Sequence, residues 1–329
     1  MHMEGLPFER IRREVLEKRK AETSHKYGKN PSERTIPELM ELGVVNIDKP
    51  KGPTSHQVSA YAQKILKVRK GGHSGTLDPN VTGVLPIAFE RATRIVQVLL
   101  TAGKEYVAIM HLHKPLDEKI IRETCKSFEG RIKQLPPVKS AIKRQWRFRK
   151  VYYIDILEID EQDVLMRIGC QAGTYIRKLL HDIGGKLGTG AHMAELRRTK
   201  AGGFDESTLI TLQDLADAFH YYTNENNEKY LRHCIKPVEA AVEHLAKVWV
   251  LDSAVNALCH GMNLKVPGIA KLSTEIQKDD IVAVMTLKDE LIAVGTADMI
   301  SNDIIKNEKG LAVKINKVFM SPNTYPRMD

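Results

Sequence analysis

The sequence predicts an α+β fold in which helices and strands intermix over the first two hundred residues and a small all-β unit closes the chain. Three observations carry this. Residues 56–68 place Val58, Tyr61, Ala62, Ile65 and Leu66 at helical spacing. Residues 151–159 and 164–170 are β-branched runs parted by Asp160-Glu161-Gln162-Asp163, a hairpin by pattern. From Val248 onward short strands follow one another about every ten residues, which suits a small β-barrel or sandwich.

Taken in order, the first forty residues are charged and mixed in sign and read as an arm rather than a core. Residues 43–48 form a buried strand, ended by Lys49-Pro50-Lys51-Gly52-Pro53 because two prolines and a glycine cannot continue a ladder. Thr54 or Ser55 caps the helix that follows. Residues 71–86 read as a loop, 84–89 as a strand, 91–100 as a helix and 105–113 as an alternating strand. Residues 115–128 form a helix whose Asp117-Glu118 pair suits its N-terminus. After the hairpin, 175–187 is helical, loosened at its end by Gly184, Gly185, Gly188 and Gly190. Residues 205–245 read as a connecting helical bundle, and the main boundary falls near Ala246. The division is an arm over 1–40, a main domain over 41–246 and a terminal domain over 247–329.

With 42% hydrophobic and 28% charged residues the chain buries a core, and its 329 residues suit one large domain or two ordinary ones. Fifty Lys and Arg against 41 Asp and Glu leave a net charge of +9, which favours an anionic partner, nucleic acid before an acidic membrane. Cys125, Cys170, Cys234 and Cys259 lack the close pairing of a zinc knuckle or a disulfide framework. The N-terminus carries no uninterrupted apolar segment, and no run approaches the roughly 18 apolar residues of a spanning helix. A soluble protein of the reducing cytoplasm is expected.

The sharpest local feature is a gap in the acids. No Asp or Glu lies between Asp48 and Asp78, while Lys49, Lys51, Lys64, Lys67, Arg69 and Lys70 do. Asp78 sits in a stretch containing Gly71, Gly72, Gly75 and Gly83, glycines that let backbone approach a ligand closely. Asp78-Pro79 is also ordinary turn chemistry. In a second constellation, Gly173-Thr174-Tyr175-Ile176-Arg177 follows a strand and opens a helix. Arg177 there is either a surface cation or the partner that orients an active-site carboxylate and keeps it ionised.

The Gly72-His73-Ser74-Gly75-Thr76-Leu77-Asp78-Pro79 run, the Asn46-Ile47-Asp48-Lys49-Pro50-Lys51-Gly52 strand exit, Lys104-Glu105-Tyr106 and Gly173-Thr174-Tyr175-Ile176-Arg177 resemble, in matching order, the motifs of TruB-family pseudouridine synthases. From Val248, Asp252-Ser253-Ala254-Val255, Cys259-His260-Gly261 and Val266-Pro267-Gly268-Ile269 resemble a PUA domain. The combination is similar to the archaeal dyskerin-like branch, the catalytic subunits of box H/ACA guide-RNA particles. The resemblance implies an α+β architecture: a mixed, mainly antiparallel sheet with flanking helices, and a PUA β-barrel on which part of the arm packs.

It also implies roles. Asp78 is the catalytic carboxylate, attacking C1′ of the uridine or taking a proton from C2′. Tyr106 stacks on the flipped base, Tyr175 backs the pocket, Leu196 packs against the base, Arg177 pairs with Asp78, and His73 helps place the backbone around the flipped nucleotide. By pattern alone Tyr106 and Leu196 could equally be core residues. Residues 131–150 hold eight Lys or Arg and no acid, with Trp146 and Phe148 interleaved. This stretch reads as an RNA-gripping loop built on Lys143, Arg144, Trp146, Arg147 and Arg149, and its position matches the family's mobile thumb. Isomerisation needs no cofactor and no metal. The partners implied are box H/ACA guide RNA, rRNA, a zinc-ribbon peptide, a Gar-type protein and a kink-turn-binding ribosomal-type protein, with no membrane. The alternatives are a stand-alone enzyme acting on the tRNA T-loop uridine and a non-catalytic RNA-binding scaffold.

Overall fold

The computed structural model describes residues 5–136 and 144–327. The arm supplies β1 (Val15–Glu17) and α1 (Ile36–Glu41). Thr35 caps α1, its hydroxyl accepting from the Glu38 N–H while the Glu38 carboxylate returns to the Thr35 N–H at 2.7 Å. Next come β2 (Gly43–Lys49) and α2 (Ser55–Leu66), where Thr54 and Gln57 form the same reciprocal cap. Then follow β3 (Gly71–His73), β4 (Thr82–Phe89), α3 (Val96–Thr101), β5 (Lys104–Leu112), α4 (Glu118–Lys126) and β6 (Gly130–Gln134). The chain goes on through β7 (Arg147–Asp160), β8 (Asp163–Cys170), α5 (Ile176–Leu187), β9 (Ala191–Ala201), α6 (Leu212–Glu225), α7 (Lys229–Cys234) and β10 (Ile235–Pro237). The last part comprises β11 (Ala246–Val250), α8 (Asp252–Cys259), β12 (Leu264–Lys265), β13 (Ile269–Ser273), β14 (Ile281–Met285), β15 (Leu291–Ala297), α9 (Ser301–Lys306) and β16 (Leu311–Val318).

Among the described residues the larger sheet runs β10-β2-β4-β9-β5-β8-β7-β6, with β3 pairing on β4. Only β4 and β9 run parallel, so the sheet is mixed and mainly antiparallel. The smaller sheet runs β1-β13-β11-β14-β15-β16-β12. Side chains alternate across its strands. Val282, Val284 and Ile292 face a core of their own, with α8 residues such as Val255 and Leu258. Ala283, Met285, Leu291 and Val294 face the other way, into a cluster with Ala92, Ile95, Leu99, Val238 and Val242. The two sheets therefore share an apolar seam, in which each large aliphatic contributes about 1.5–3 kcal/mol by burial.

The arm lies along the smaller sheet. β1 pairs antiparallel with β13, Val15 opposite Ser273. Lys18 donates to the carbonyls of Ile305 and Asn307 at 3.0 and 2.8 Å, and the Thr23 hydroxyl donates to Asp252 at 3.0 Å. The buried Arg34 guanidinium grips Glu239 through two bonds of 2.7 and 2.8 Å, and Glu239 also accepts from the Leu291 N–H at 2.7 Å. One carboxylate thus joins arm, larger unit and smaller sheet.

Five local expectations change. Part of the 71–86 loop is sheet, as β3 and the start of β4, and residues 90–95 wind as a 3-10 turn before α3. β9 was not expected, because its buried positions include Arg198 and Thr199 and no apolar alternation survives. The 205–245 stretch is not a bundle: after α6 and α7 it becomes β10, paired on β2, and then a 3-10 turn. The basic 131–150 stretch is strand at both ends, as β6 pairs with β7. Its cations rest on its aromatics, Arg131 lying 3.8 Å from the Phe148 ring centroid and the Lys133 ammonium 4.8 Å from that of Trp146.

His244 gives the fold an acid-sensitive point. Its ring is buried edge-on against Phe8 at 5.6 Å, and burial, with Lys104 and Arg13 nearby, pushes its pKa down to about 4. The folded value lies below the unfolded one, so the unfolded chain takes up the proton first as pH falls. Stability is full above about pH 6.5 and is lost progressively towards pH 4, by about 3 kcal/mol from this group. Melting curves at pH 7.5 and 4.5 should show His244→Phe losing less stability than the wild type; equal losses would remove His244 from the account.

Candidate functional site

The loop between β3 and β4 carries Asp78, and buried polar groups hold it from three directions. The ammonium of Lys49, 0% exposed, donates to the carbonyls of Pro50, Pro79 and Val81 at 2.8, 3.1 and 2.8 Å. Burial lowers its pKa, and the Asp78 charge opposes the fall. At the start of α2 the Ser55 hydroxyl accepts from the Leu77 N–H at 2.8 Å. The Asp78 carbonyl accepts from the Val81 N–H at 3.0 Å, closing the turn. Asp78 therefore lies in a turn held through backbone atoms and not through its carboxylate.

That carboxylate points at α5. Asp78 Oδ2 and Arg177 Nη2 lie 2.5 Å apart, with the two side chains 53% and 58% exposed. So exposed a pair adds little stability. Its effect is orientation: the guanidinium fixes the direction of the carboxylate. Behind the pair is a cavity of about 200 Å³, with Asp78 and Arg177 at one side and Tyr106, Tyr175, Ile176, Met193 and Leu196 among its walls. It has room for one planar heterocycle.

Tyr106 reaches this wall because its strand neighbours are anchored. Lys104, 5% exposed, donates to the carbonyls of Leu99, Leu100 and Ala102 at 2.8, 2.9 and 2.7 Å, satisfying the end of α3, and burial pushes its pKa down to about 7. Glu105 accepts from the hydroxyls of Thr199, at 2.8 Å, and Tyr153. Burial raises the Tyr106 pKa, against the nearby charge of Arg198.

Arg198 is the residue that the sequence did not single out. It is 1% exposed and donates to the carbonyls of Val84 at 2.7 Å and Gly75 at 3.3 Å, and its charge lies beside Tyr106. One guanidinium thus links the Asp78 loop, β4 and the pocket tyrosine, and its own pKa is lowered by burial. Nothing in Glu195-Leu196-Arg197-Arg198 marks the second arginine as the buried one; Arg197 faces out to Asp48 at 2.9 and 3.1 Å and Glu206 at 2.6 Å. The close passage of β4 and β9 requires Gly83, where φ is +100° and a Cβ would lie 2.2 Å from the Arg198 carbonyl oxygen.

Asp78, Tyr106, Tyr175, Arg177 and Leu196 thus share one cavity. His73 is not in its lining; it sits on β3 with Nδ1 buried, and burial lowers its pKa. Of the basic stretch, Arg144, Trp146, Arg147 and Arg149 are at or on the start of β7, with Trp146 59% exposed, and Lys143 lies outside the described residues. Among the described residues no group of three or more His, Cys, Asp or Glu could hold a metal ion, and no helix is long and apolar enough to cross a membrane.

Comparison with known proteins accounts for nearly the whole chain. Residues 6–59 match the DKCLD (NUC011) domain, 63–176 the N-terminal domain of TruB family pseudouridylate synthases, 177–243 the C-terminal domain of tRNA pseudouridylate synthase B, and 246–319 the PUA domain. The probable tRNA pseudouridine synthase B of Pyrococcus abyssi is 57% identical over 97% of this chain and 96% of its own, and that of Methanopyrus kandleri 53% over 98% and 95%. A chain in the crystal structure of a Cbf5-Nop10-Gar1 complex superposes with a TM-score of 0.93 at 55% identity, covering 98% of both chains. One in an H/ACA RNP bound to a substrate RNA containing 2′-deoxyuridine gives 0.91 at 53%, covering 98% of this chain and 99% of that one. Fold, domains and relatives define a pseudouridine synthase with a PUA domain. Within that class, the chain belongs to the TruB family.

Proposed function

We propose that this enzyme isomerises specific uridines in RNA to pseudouridine, in rRNA at positions chosen by a box H/ACA guide RNA. Asp78 acts at the reacting sugar. The observation that carries the reading is the Asp78–Arg177 pair at the mouth of a cavity walled by Tyr106 and Leu196. The target uridine leaves its stack, at a cost of a few kcal/mol, and its base lies against Tyr106. Arg177 keeps the Asp78 carboxylate aimed. Asp78 then either attacks C1′, displacing uracil, or takes the C2′ proton as the glycosidic bond breaks. The base turns and C5 bonds to C1′, as the Asp78–C1′ bond breaks on the first route or as the C2′ proton returns on the second; C5 loses its proton and N1 gains one, so the product is an isomer and no group or electron is supplied from outside. Tyr175 backs the cavity, His73 supports the backbone beneath it, and Lys143, Arg144, Trp146, Arg147 and Arg149 grip RNA phosphates and bases.

The reading divides the chain into an arm over 1–40, a catalytic domain over 41–246 and an RNA-binding PUA domain over 247–329. Likeness to the chains in the Cbf5-Nop10-Gar1 complex and the H/ACA RNP supports guide RNA and small protein partners: a zinc-ribbon peptide, a Gar-type protein and a kink-turn-binding ribosomal-type protein. The same proposal sets the enzyme in the cytoplasm. The name carried by the archaeal relatives favours a second, compatible activity on the tRNA T-loop uridine without a guide.

Reconstitution tests both. The full chain, with the three small proteins and a guide RNA, is incubated with an rRNA fragment and, separately, without guide, with a tRNA. Pseudouridine in the rRNA fragment only when the guide is present is the expected result. Modification of tRNA alone would make it a stand-alone enzyme, and none in either would leave an RNA-binding scaffold.

A further inference from the structure

The basic hairpin β6–β7 and the Asp78 cavity are joined through one buried side chain. Gln134, the last residue of β6, is 3% exposed. Its Oε1 accepts from the Tyr175 N–H at 3.0 Å, and its Nε2 donates to the Tyr175 carbonyl at 3.1 Å. A primary amide thereby reads both polar groups of a single backbone residue. Tyr175 is the N-cap of α5, with extended φ and ψ of −91° and 100° and no side-chain cap, so its N–H stands outside the helix ladder and needs a partner from elsewhere.

The opposite strand is fixed to the same turn. The Lys150 N–H donates to Gln171 Oε1 at 3.1 Å, and the Gln171 N–H donates to the Lys150 carbonyl at 2.8 Å. Arg149 lies over Gly173, where φ is +77° and a Cβ would come within 3.1 Å of its Nε. Both strands of the hairpin thus grip the 171–175 turn. Out towards its tip the hairpin presents Trp146 and Phe148, 59% and 51% exposed, each beside a cation. From Tyr175 the chain runs two residues to Arg177, the partner of Asp78.

We propose that Gln134 is a positioning residue that transmits the seating of RNA on the hairpin to the Tyr175 ring and the Arg177 guanidinium. The amide sets the direction of the Tyr175 peptide groups and hence of the first turn of α5. A hairpin drawn towards RNA carries that turn with it, so the pocket is aligned by the substrate that enters it. This rests on the reading of the pocket as a uridine-isomerising site.

The test uses the full chain in the reconstituted particle. Gln134→Met keeps the side-chain length and removes both hydrogen bonds; Gln134→Glu keeps the acceptor for the Tyr175 N–H. Single-turnover pseudouridine formation, RNA affinity and melting temperature are measured for each. Expected for Gln134→Met is a rate reduced by about tenfold or more at nearly unchanged RNA affinity, measured at a temperature well below its lowered melting point, with Gln134→Glu recovering part of the rate. A wild-type rate in Gln134→Met overturns the proposal. So does a fall of rate, affinity and melting temperature together with no recovery in Gln134→Glu, which would make Gln134 a structural part only. Should Gln134→Met fail to fold, Gln134→Glu decides: a slower rate at unchanged affinity supports the coupling, and an unchanged rate overturns it. A wild-type particle that forms no pseudouridine would count against the functional reading instead.

Discussion

Asp78→Asn is expected to reduce pseudouridine formation by about four orders of magnitude or more while RNA still binds. The substitution keeps the size of the side chain and a polar contact with Arg177, and removes the charge on which both attack at C1′ and proton removal at C2′ depend. The loop should survive it, because Lys49, Ser55 and the Val81 N–H hold the loop through backbone atoms and not through the carboxylate. The measurement is single-turnover isomerisation by the reconstituted particle, beside RNA binding by titration. Pseudouridine forming at the wild-type rate in the Asn variant would remove Asp78 from the chemistry. Loss of binding in step with loss of rate would make it a docking group.

Arg198→Met should be the most damaging change that touches no RNA. It strips the donors from the buried carbonyl of Val84 and the partly buried carbonyl of Gly75. An orphaned buried acceptor costs about 1–3 kcal/mol, so a loss of about 2–4 kcal/mol is expected, seen as a lower melting temperature. Activity should fall further than stability explains, since the same guanidinium holds the Asp78 loop through Gly75 and borders Tyr106. Arg198→Lys should not restore either, because one ammonium cannot reproduce a fork that spans two carbonyls. A variant with wild-type melting and wild-type rate would show that the linkage has no consequence.

Much of this was legible in the chain because the relevant signals are local. Proline, glycine and capping residues bound β2, α2 and α5, and the motif residues Asp78, Tyr106, Tyr175, Arg177 and Leu196 named from the sequence line one cavity. What was not legible depends on partners distant in sequence. Lys49, Lys104 and Arg198 are cations, which on composition belong outside, yet each is buried because it satisfies two or more carbonyls that only the fold brings together. β9 was missed for the same reason: its interior positions are polar. β10 is too short for any period to show.

The pairing of β1 with β13 also sets a clock. Val15 leaves the ribosome early, but its partner Ser273 is made roughly 250 residues later. At about 5–20 residues per second the arm waits for tens of seconds before its strand has anything to pair with. Until then Val15, which remains 56% exposed even in the finished protein, and the charged stretch around it hang from a half-made chain. Closing so long a loop carries a high entropic cost, so the docking of the arm should be a late and slow event in the birth of this protein.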